Sequence, residues 1–166
     1  MFLTDLEAVL RQVDAIDPVA YARTRNHLDG AVTRLSPYIS RGILTTRQVM
    51  KSILDKGRPF HEVEKLIQEL AWRDHWQMVW RNKGDGIFED IRQPQSTAKW
   101  NGVPSALLNR STGIQAIDDG IRELEETGYM HNHLRMYTAM LTCHVARYHW
   151  NKGALDVLLL ARWGLG

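Results

Sequence analysis

Three polar clusters in the chain combine residue types and spacings that could do chemistry. The first is Gly128-Tyr129-Met130-His131-Asn132-His133-Leu134-Arg135-Met136, which leads into an apolar run reaching Trp150. On a helix Asn132 and Arg135 share a stripe with Ala139, Thr142 and Ala146, so two polar groups are followed by small side chains. Small residues leave room for a planar ligand or another backbone, and free amides at a helix start suit an anion such as phosphate, or a polar ring edge. An ordinary account is also open, in which Arg135 pairs with a carboxylate and the small residues allow close helix packing. The second cluster, Thr33-Arg34-Leu35-Ser36, places hydroxyls around one guanidinium ahead of a helix, the composition of a diphosphate cradle but also of a plain helix cap. In the third, Glu69, Trp72, Arg73 and Trp76 recur at helical spacing. A carboxylate, two aromatic faces and a bidentate donor suit a flat heteroaromatic group such as an unstacked base; a solvated, salt-bridged face is the alternative.

Other chemistries find little support. His131-x-His133 invites a metal, yet helix positions two apart point to different sides and no carboxylate stands at the needed spacing, so no metal is expected. No glycine-rich phosphate fingerprint occurs. The single cysteine, Cys143, reads as a small core residue; it excludes an intrachain disulfide and a zinc-thiolate site, and it points to a cytoplasmic protein.

Helices must position these clusters. A Thr4/Glu7 capping box predicts a helix over 5–13, Asp17-Pro18 restarts one, and 26–30 has turn composition. Ser36 is expected to cap a short helix from Pro37, and Thr45 or Thr46 the next, which Gly57 stops. A long helix over about 59–82 turns Val63, Leu66, Ile67, Leu70 and Val79 inward, and residues 84–104 are turn-rich. Pro104 opens a short helix, Gly113 and Gly128 bracket another, a long helix runs from Met130 to Trp150, and an apolar segment follows from Ala154 to Trp163. No window alternates as a strand would, so the fold class is all-α, a single compact multi-helix domain over 1–166.

Composition agrees with one cored domain. The 21 Lys+Arg against 19 Asp+Glu give a net charge of +2, so nucleic-acid binding would need a local patch rather than bulk charge. No apolar run is long enough to span a membrane, and the first residues lack the basic and apolar regions of a signal peptide. Six Trp exceed what a core of this size needs, which suggests that some face a ligand; an aromatic-rich core is the alternative.

Taken in order, the segments resemble the FAD-binding helical domain of the DNA photolyase and cryptochrome family. Arg34-Leu35-Ser36-Pro37-Tyr38, with Gly42 and Arg47-Gln48-Val49, is similar to the family's flavin phosphate loop and the helix after it. Glu69-Leu70-Ala71-Trp72-Arg73-Asp74 is similar to its central helix, and 127–136 to its most distinctive motif. The resemblance implies that Tyr21, Thr33, Arg34, Leu35 and Ser36 hold the diphosphate and ribityl of FAD, that Arg73 touches the flavin side, and that Asn132 and Arg135 lie beside the flavin ring. It further implies that Glu69 and Trp72 touch a flipped pyrimidine dimer, that Arg25 and His133 meet the DNA backbone, and that Trp100 and Trp150 belong to the tryptophan relay that reduces the flavin.

The family reaction implied is electron donation from excited, reduced FAD into the dimer, ring splitting and return of the electron. The expected function is therefore a flavoprotein module for light-dependent DNA repair or photoreduction, with FAD as chromophore and single-stranded or damaged DNA as partner. The alternative is a cofactor-free helical module that binds nucleic acid or a protein. No antenna domain precedes the motifs, so no second chromophore is expected. Val32 stands where the family has a hydroxyl residue, and His133 where it has a permanent cation. Beyond Trp150 the family's acidic pair, flavin-side asparagine and innermost relay tryptophan have no counterpart, so a homo-oligomer or a missing chain segment is expected to complete the flavin site.

Overall fold

A computed structural model describes residues 2–151, and these residues form eight α-helices and no strand. The chain divides into two compact units, Met1–Gly84 and Asp85–Gly166, although no shift of composition marks the boundary. The expected apolar segment Ala154–Trp163 lies outside the described residues.

The first unit contains α1 (Leu6–Asp14), α2 (Pro18–Thr24), α3 (Ser36–Ser40), α4 (Thr46–Asp55) and α5 (Phe60–Lys83). Starts follow local capping chemistry. Asp17 accepts from the amides of Val19 and Ala20, with Pro18 at the first helical position, and Thr45 with Gln48 forms a complete capping box. At α1 the expected cap moves by one residue: Asp5 rather than Thr4 is in extended backbone, and its carboxylate accepts from the Ala8 amide. Ser36 is likewise the first residue of α3 instead of its cap, which is Leu35 and makes no side-chain bond, so the Ser36 hydroxyl is left exposed. Val9 and Val13 of α1, Val49 and Ile53 of α4, and Val63 and Leu66 of α5 close on Leu35, Tyr38 and Leu44 as one core. Ile67 and Leu70 pack against it, and α5 therefore buries only its N-terminal half.

A 3-10 turn, Gly84–Phe88, leads into the second unit, which contains α6 (Ser105–Leu108), α7 (Gln115–Thr127) and α8 (Asn132–Met140). Gly128 ends α7 in left-handed backbone at φ 72, where a side chain would be strained, and its amide bonds the Leu124 carbonyl. Helix α7 presents Ile117, Ile121 and Leu124 to Met130 and Leu134. A Cβ at Gly120 would come within 2.7 Å of Leu134 Cδ1, so glycine permits this approach of α7 to α8.

The helix expected to run unbroken from Met130 to Trp150 is interrupted. After α8 the chain makes a π turn, Leu141–Val145, in which the Ala146 amide bonds the Leu141 carbonyl at 2.8 Å. The backbone turns left-handed at Arg147 (φ 59), and Tyr148 pairs with Trp100 in an isolated parallel bridge. Two partners absent from local sequence explain the break. Gln95 Nε2 takes the carbonyls of Tyr148 and Cys143 at 3.0 and 3.5 Å, and the Lys99 amide takes the Arg147 carbonyl at 2.7 Å. The expected stripe is not one face: Asn132 and Ala139 are exposed, whereas Thr142 is buried, in line with Leu134 and Thr138 at spacings of four.

Asp118 fastens the entry to α7 by accepting from the Thr112 amide and hydroxyl at 3.0 and 2.7 Å. The Thr112 hydroxyl bond is the main reason its carboxyl is held below the ordinary carboxylate range, with amide bonds and Arg122 adding to the effect. A depressed folded-state pKa means that this stabilisation is present above the unfolded value, about 3.9, and is lost as pH falls through the folded value. Asp118→Asn is therefore expected to lower the thermal midpoint at pH 7, with the gap to the parent closing below about pH 4. A gap that does not change between pH 7 and pH 3 in parallel melts contradicts this.

Candidate functional site

In the first unit the phosphate-loop candidates lie in an irregular segment, 31–35, ahead of α3. Its anchor is Leu35, 1% exposed in the core, while Gln12 Nε2 donates to the Thr33 carbonyl at 2.8 Å. The backbone turns left-handed at Arg34 (φ 53) and right-handed at Leu35 (φ −86, ψ −9). Consecutive residues of opposite hand aim successive amides into one concavity, a geometry that receives anions. A left-handed non-glycine residue is also uncommon, and such strain gathers at ligand clamps. Arg34 and Ser36 are exposed, Thr33 is half-buried, and the Thr33 hydroxyl accepts weakly from the Leu35 amide at 3.4 Å. The donor set and backbone fit a diphosphate. Leu35 itself offers only its main chain, because its side chain is in the core.

Packing of α2 on α5 brings together three further candidates. Arg25 Nη1 meets Glu69 Oε1 at 3.0 Å, both side chains being less than a third exposed, and Lys65 adds a second cation to the same oxygen at 3.5 Å. The Arg25 guanidinium also lies 6.0 Å from the centre of the Tyr21 ring. Arg73, one turn beyond Glu69, donates from Nη2 to Ser40 Oγ at 2.7 Å. Burial lowers the Arg73 pKa against the opposing pull of Asp74, but a guanidinium stays charged at neutral pH. The cluster expected to project as one set of four is thus divided. Glu69 and Arg73 turn toward α2 and α3, while Trp72 and Trp76 stand about half exposed. His75 joins the two indoles, its ring edge-on to both at centroid distances of 5.6 Å. That histidine was not singled out from the sequence, although its position between the two tryptophans was visible there.

In the second unit, Asn132 opens α8 and is exposed. Its cap is His131, whose Nδ1 accepts from the His133 amide at 3.1 Å. Arg135 is half-buried and donates from Nε to the Met130 carbonyl at 3.2 Å. The His133 ring lies between those of His131 and Tyr137, with centroids 5.9 and 6.2 Å away. Burial pushes the Cys143 thiol up, so little thiolate is present at neutral pH.

The two relay candidates sit on paired segments of this unit. Trp100 is 59% exposed and its carbonyl accepts from the His149 amide at 2.8 Å. Trp150 is half-buried; its indole Nε1–H donates to Asp90 Oδ1, and its amide donates to Gln95 Oε1 at 2.8 Å. The Gln95 amide in turn donates to Asp90 Oδ2 at 2.9 Å, and Asn151 Nδ2 donates to the Phe88 carbonyl. Asp90 and Gln95 escape sequence reasoning because they lie in the turn-rich stretch and act on residues more than fifty positions away.

Among the described residues no group of three or more His, Cys, Asp or Glu is placed to hold a metal ion, and no helix is long and apolar enough to cross a membrane. A groove lined by Asp14, Gln48, Lys51, Ser52, Asp55 and Lys56 contains none of the candidates. Its lysines are committed to Asp55 and to the carbonyls of Asp14 and Ile16.

The family model for the FAD-binding domain of DNA photolyase matches residues 66–158, more than half of the chain, and the chain belongs to that family. FAD is the cofactor of the family. Among curated relatives, a deoxyribodipyrimidine photo-lyase of Alkalihalophilus pseudofirmus is 32% identical over 124 residues, covering 73% of the chain and 26% of that protein. A cryptochrome DASH of Natronomonas pharaonis is 29% identical over 160 residues, covering 87% and 34%. The chain therefore spans about a quarter to a third of the length of these relatives. Among solved structures, a Synechocystis cryptochrome shares the fold with a TM-score of 0.76 at 24% identity, over 92% of the chain and 34% of its own. A class III photolyase from Agrobacterium tumefaciens does so with a TM-score of 0.75 at 19% identity, over 97% and 38%.

Proposed function

We propose that the chain is a flavin-binding module of a photolyase or cryptochrome, with the FAD diphosphate held by the 33–36 loop. The observation that carries this reading is the loop itself: strained left-handed backbone at Arg34, pinned from behind by Leu35, with the guanidinium and the Ser36 hydroxyl on the outside. In this reading Tyr21 and Arg73 of the first unit serve the cofactor together with that loop. Bound FAD supplies the redox chemistry, while the protein's residues bind, orient and exclude water. Light-dependent DNA repair or photoreduction is the proposed activity, with damaged or single-stranded DNA as the partner.

For DNA, the proposed surface groups of the first unit are Trp72, Arg25 and Glu69. Exposed indoles such as Trp72 offer a stacking face, and Arg25 offers a cation now paired with Glu69. A phosphate ester approaching Arg25 would compete with that carboxylate.

Titration of the full chain with FAD, followed by flavin fluorescence, tests the phosphate assignment. Arg34→Ala is expected to weaken binding by roughly 1.5–3 kcal/mol, the worth of a hydrogen bond to a charged group, or on the order of 10- to 100-fold. Arg34→Gly, which adopts the left-handed backbone without strain, separates the guanidinium from the loop shape and should lose the same affinity. Parental affinity in both variants would place the diphosphate elsewhere.

A further inference from the structure

We propose that Asp90 accepts the indole proton of Trp150 when that tryptophan is oxidised by one electron, an inference that rests on the relay reading of Trp150. The bond for this transfer is already made, since the Trp150 Nε1–H donates to Asp90 Oδ1. Its geometry is locked from both sides by one residue: the Gln95 amide holds Asp90 Oδ2 at 2.9 Å, and Gln95 Oε1 holds the Trp150 amide at 2.8 Å. Gln95 is fixed in turn by donating from Nε2 to the Tyr148 carbonyl at 3.0 Å. The His149 ring stacks against Trp150 with centroids 6.1 Å apart, and the bond from the Trp150 indole, followed by that from the Gln95 amide, holds the Asp90 carboxyl below the ordinary carboxylate range, so it is an anion at neutral pH.

The chemistry balances within the pair. One electron passes from the Trp150 ring to an oxidant, which is a photoexcited flavin in the proposed function. The indole radical cation is a far stronger acid than indole, so the Nε1–H bond breaks and an O–H bond forms on Asp90. The products are a neutral indolyl radical and a neutral carboxylic acid. When an electron returns to the ring, the proton returns to Nε1. Net charge at the pair changes by the one electron lost, and no proton leaves it. An amide in place of Asp90 can still accept from the indole but then turns a donor toward the Gln95 amide, and it cannot take the proton; the solvent isotope effect of the parent therefore separates this role from a purely structural clamp.

The test needs no flavin. The full chain is oxidised by a flash-generated ruthenium(III) polypyridyl complex, and the Trp150 contribution is taken as the difference between parent and Trp150→Phe. Transient absorption separates the radical cation from the neutral radical. In the parent the Trp150 cation is expected to decay to the neutral radical with a solvent deuterium isotope effect. Asp90→Asn is expected to slow that decay by roughly tenfold or more, about 1.4 kcal/mol in barrier, and Asp90→Glu to restore part of it. Equal decay in parent and Asp90→Asn overturns the proposal, as does the absence of any Trp150 contribution. Should Asp90→Asn fail to fold by circular dichroism, a parent decay with no isotope effect overturns it instead. Failure of flavin binding would leave this acid–indole result intact, so the two readings fail separately.

Discussion

Leu35→Ala is expected to destabilise the first unit by about 3 kcal/mol, within the usual range for emptying a fully buried leucine site. Leu35 is 1% exposed and belongs to the core built by Val9, Val13, Tyr38, Leu44, Val49, Ile53, Val63 and Leu66. For a unit of this size such a loss lowers the thermal midpoint by on the order of 15 °C. The functional consequence follows from position, because Leu35 pins the peptide directly after the strained Arg34. Emptying its socket lets the loop relax toward ordinary backbone, so FAD affinity should fall together with stability. Arg34→Ala should behave differently, losing affinity while its stability stays within about 1 kcal/mol of the parent, since Arg34 is exposed. Calorimetry beside a flavin titration separates the two. A Leu35→Ala protein as stable as the parent would contradict the anchoring role.

Gly30→Ala is expected to cost about as much for a different reason. A Cβ at Gly30 would lie 1.9 Å from the Thr24 carbonyl oxygen and 2.9 Å from that of His27, both backbone atoms that no side-chain rotation can clear. Those carbonyls close the turn, with the His27 amide on Thr24 at 2.8 Å and the Gly30 amide on His27 at 3.0 Å. The Thr24 hydroxyl also holds the Ala31 amide at 2.9 Å, so the turn sets where the phosphate loop begins. Opening it should cost about 3 kcal/mol, the upper part of the overpacking range, and should displace Arg25 from Glu69. Urea unfolding measures the first effect. A change within about 0.5 kcal/mol would show that the turn yields easily and would remove the rationale for glycine there.

Much of this architecture was legible because short-range chemistry decides it. The Thr45/Gln48 capping box, Asp17 before Pro18, and Gly128 after α7 each act within three or four residues, so a single chain shows them. The Asp5 cap was missed by one position because Thr4 and Asp5 are both good caps, and only the backbone geometry chooses between them. Long-range contacts were invisible. The apolar run from Met130 has helical periodicity throughout, yet Gln95 and Lys99 capture its carbonyls and turn its end into a π turn and a bridge. The same holds for the candidate site. Residue types identified the 33–36 loop and the α5 cluster, whereas the pairing of Glu69 with Arg25, the Arg73–Ser40 bond and the hold of Asp90 on Trp150 arise from packing.

The claim that this chain is a flavin-binding module is tested most directly by the absorption spectrum of the purified full chain, before and after incubation with FAD and desalting. The account predicts flavin bands at near-stoichiometric level in the parent and a marked loss in Arg34→Ala. A folded protein that is colourless as purified and retains no added FAD would contradict it.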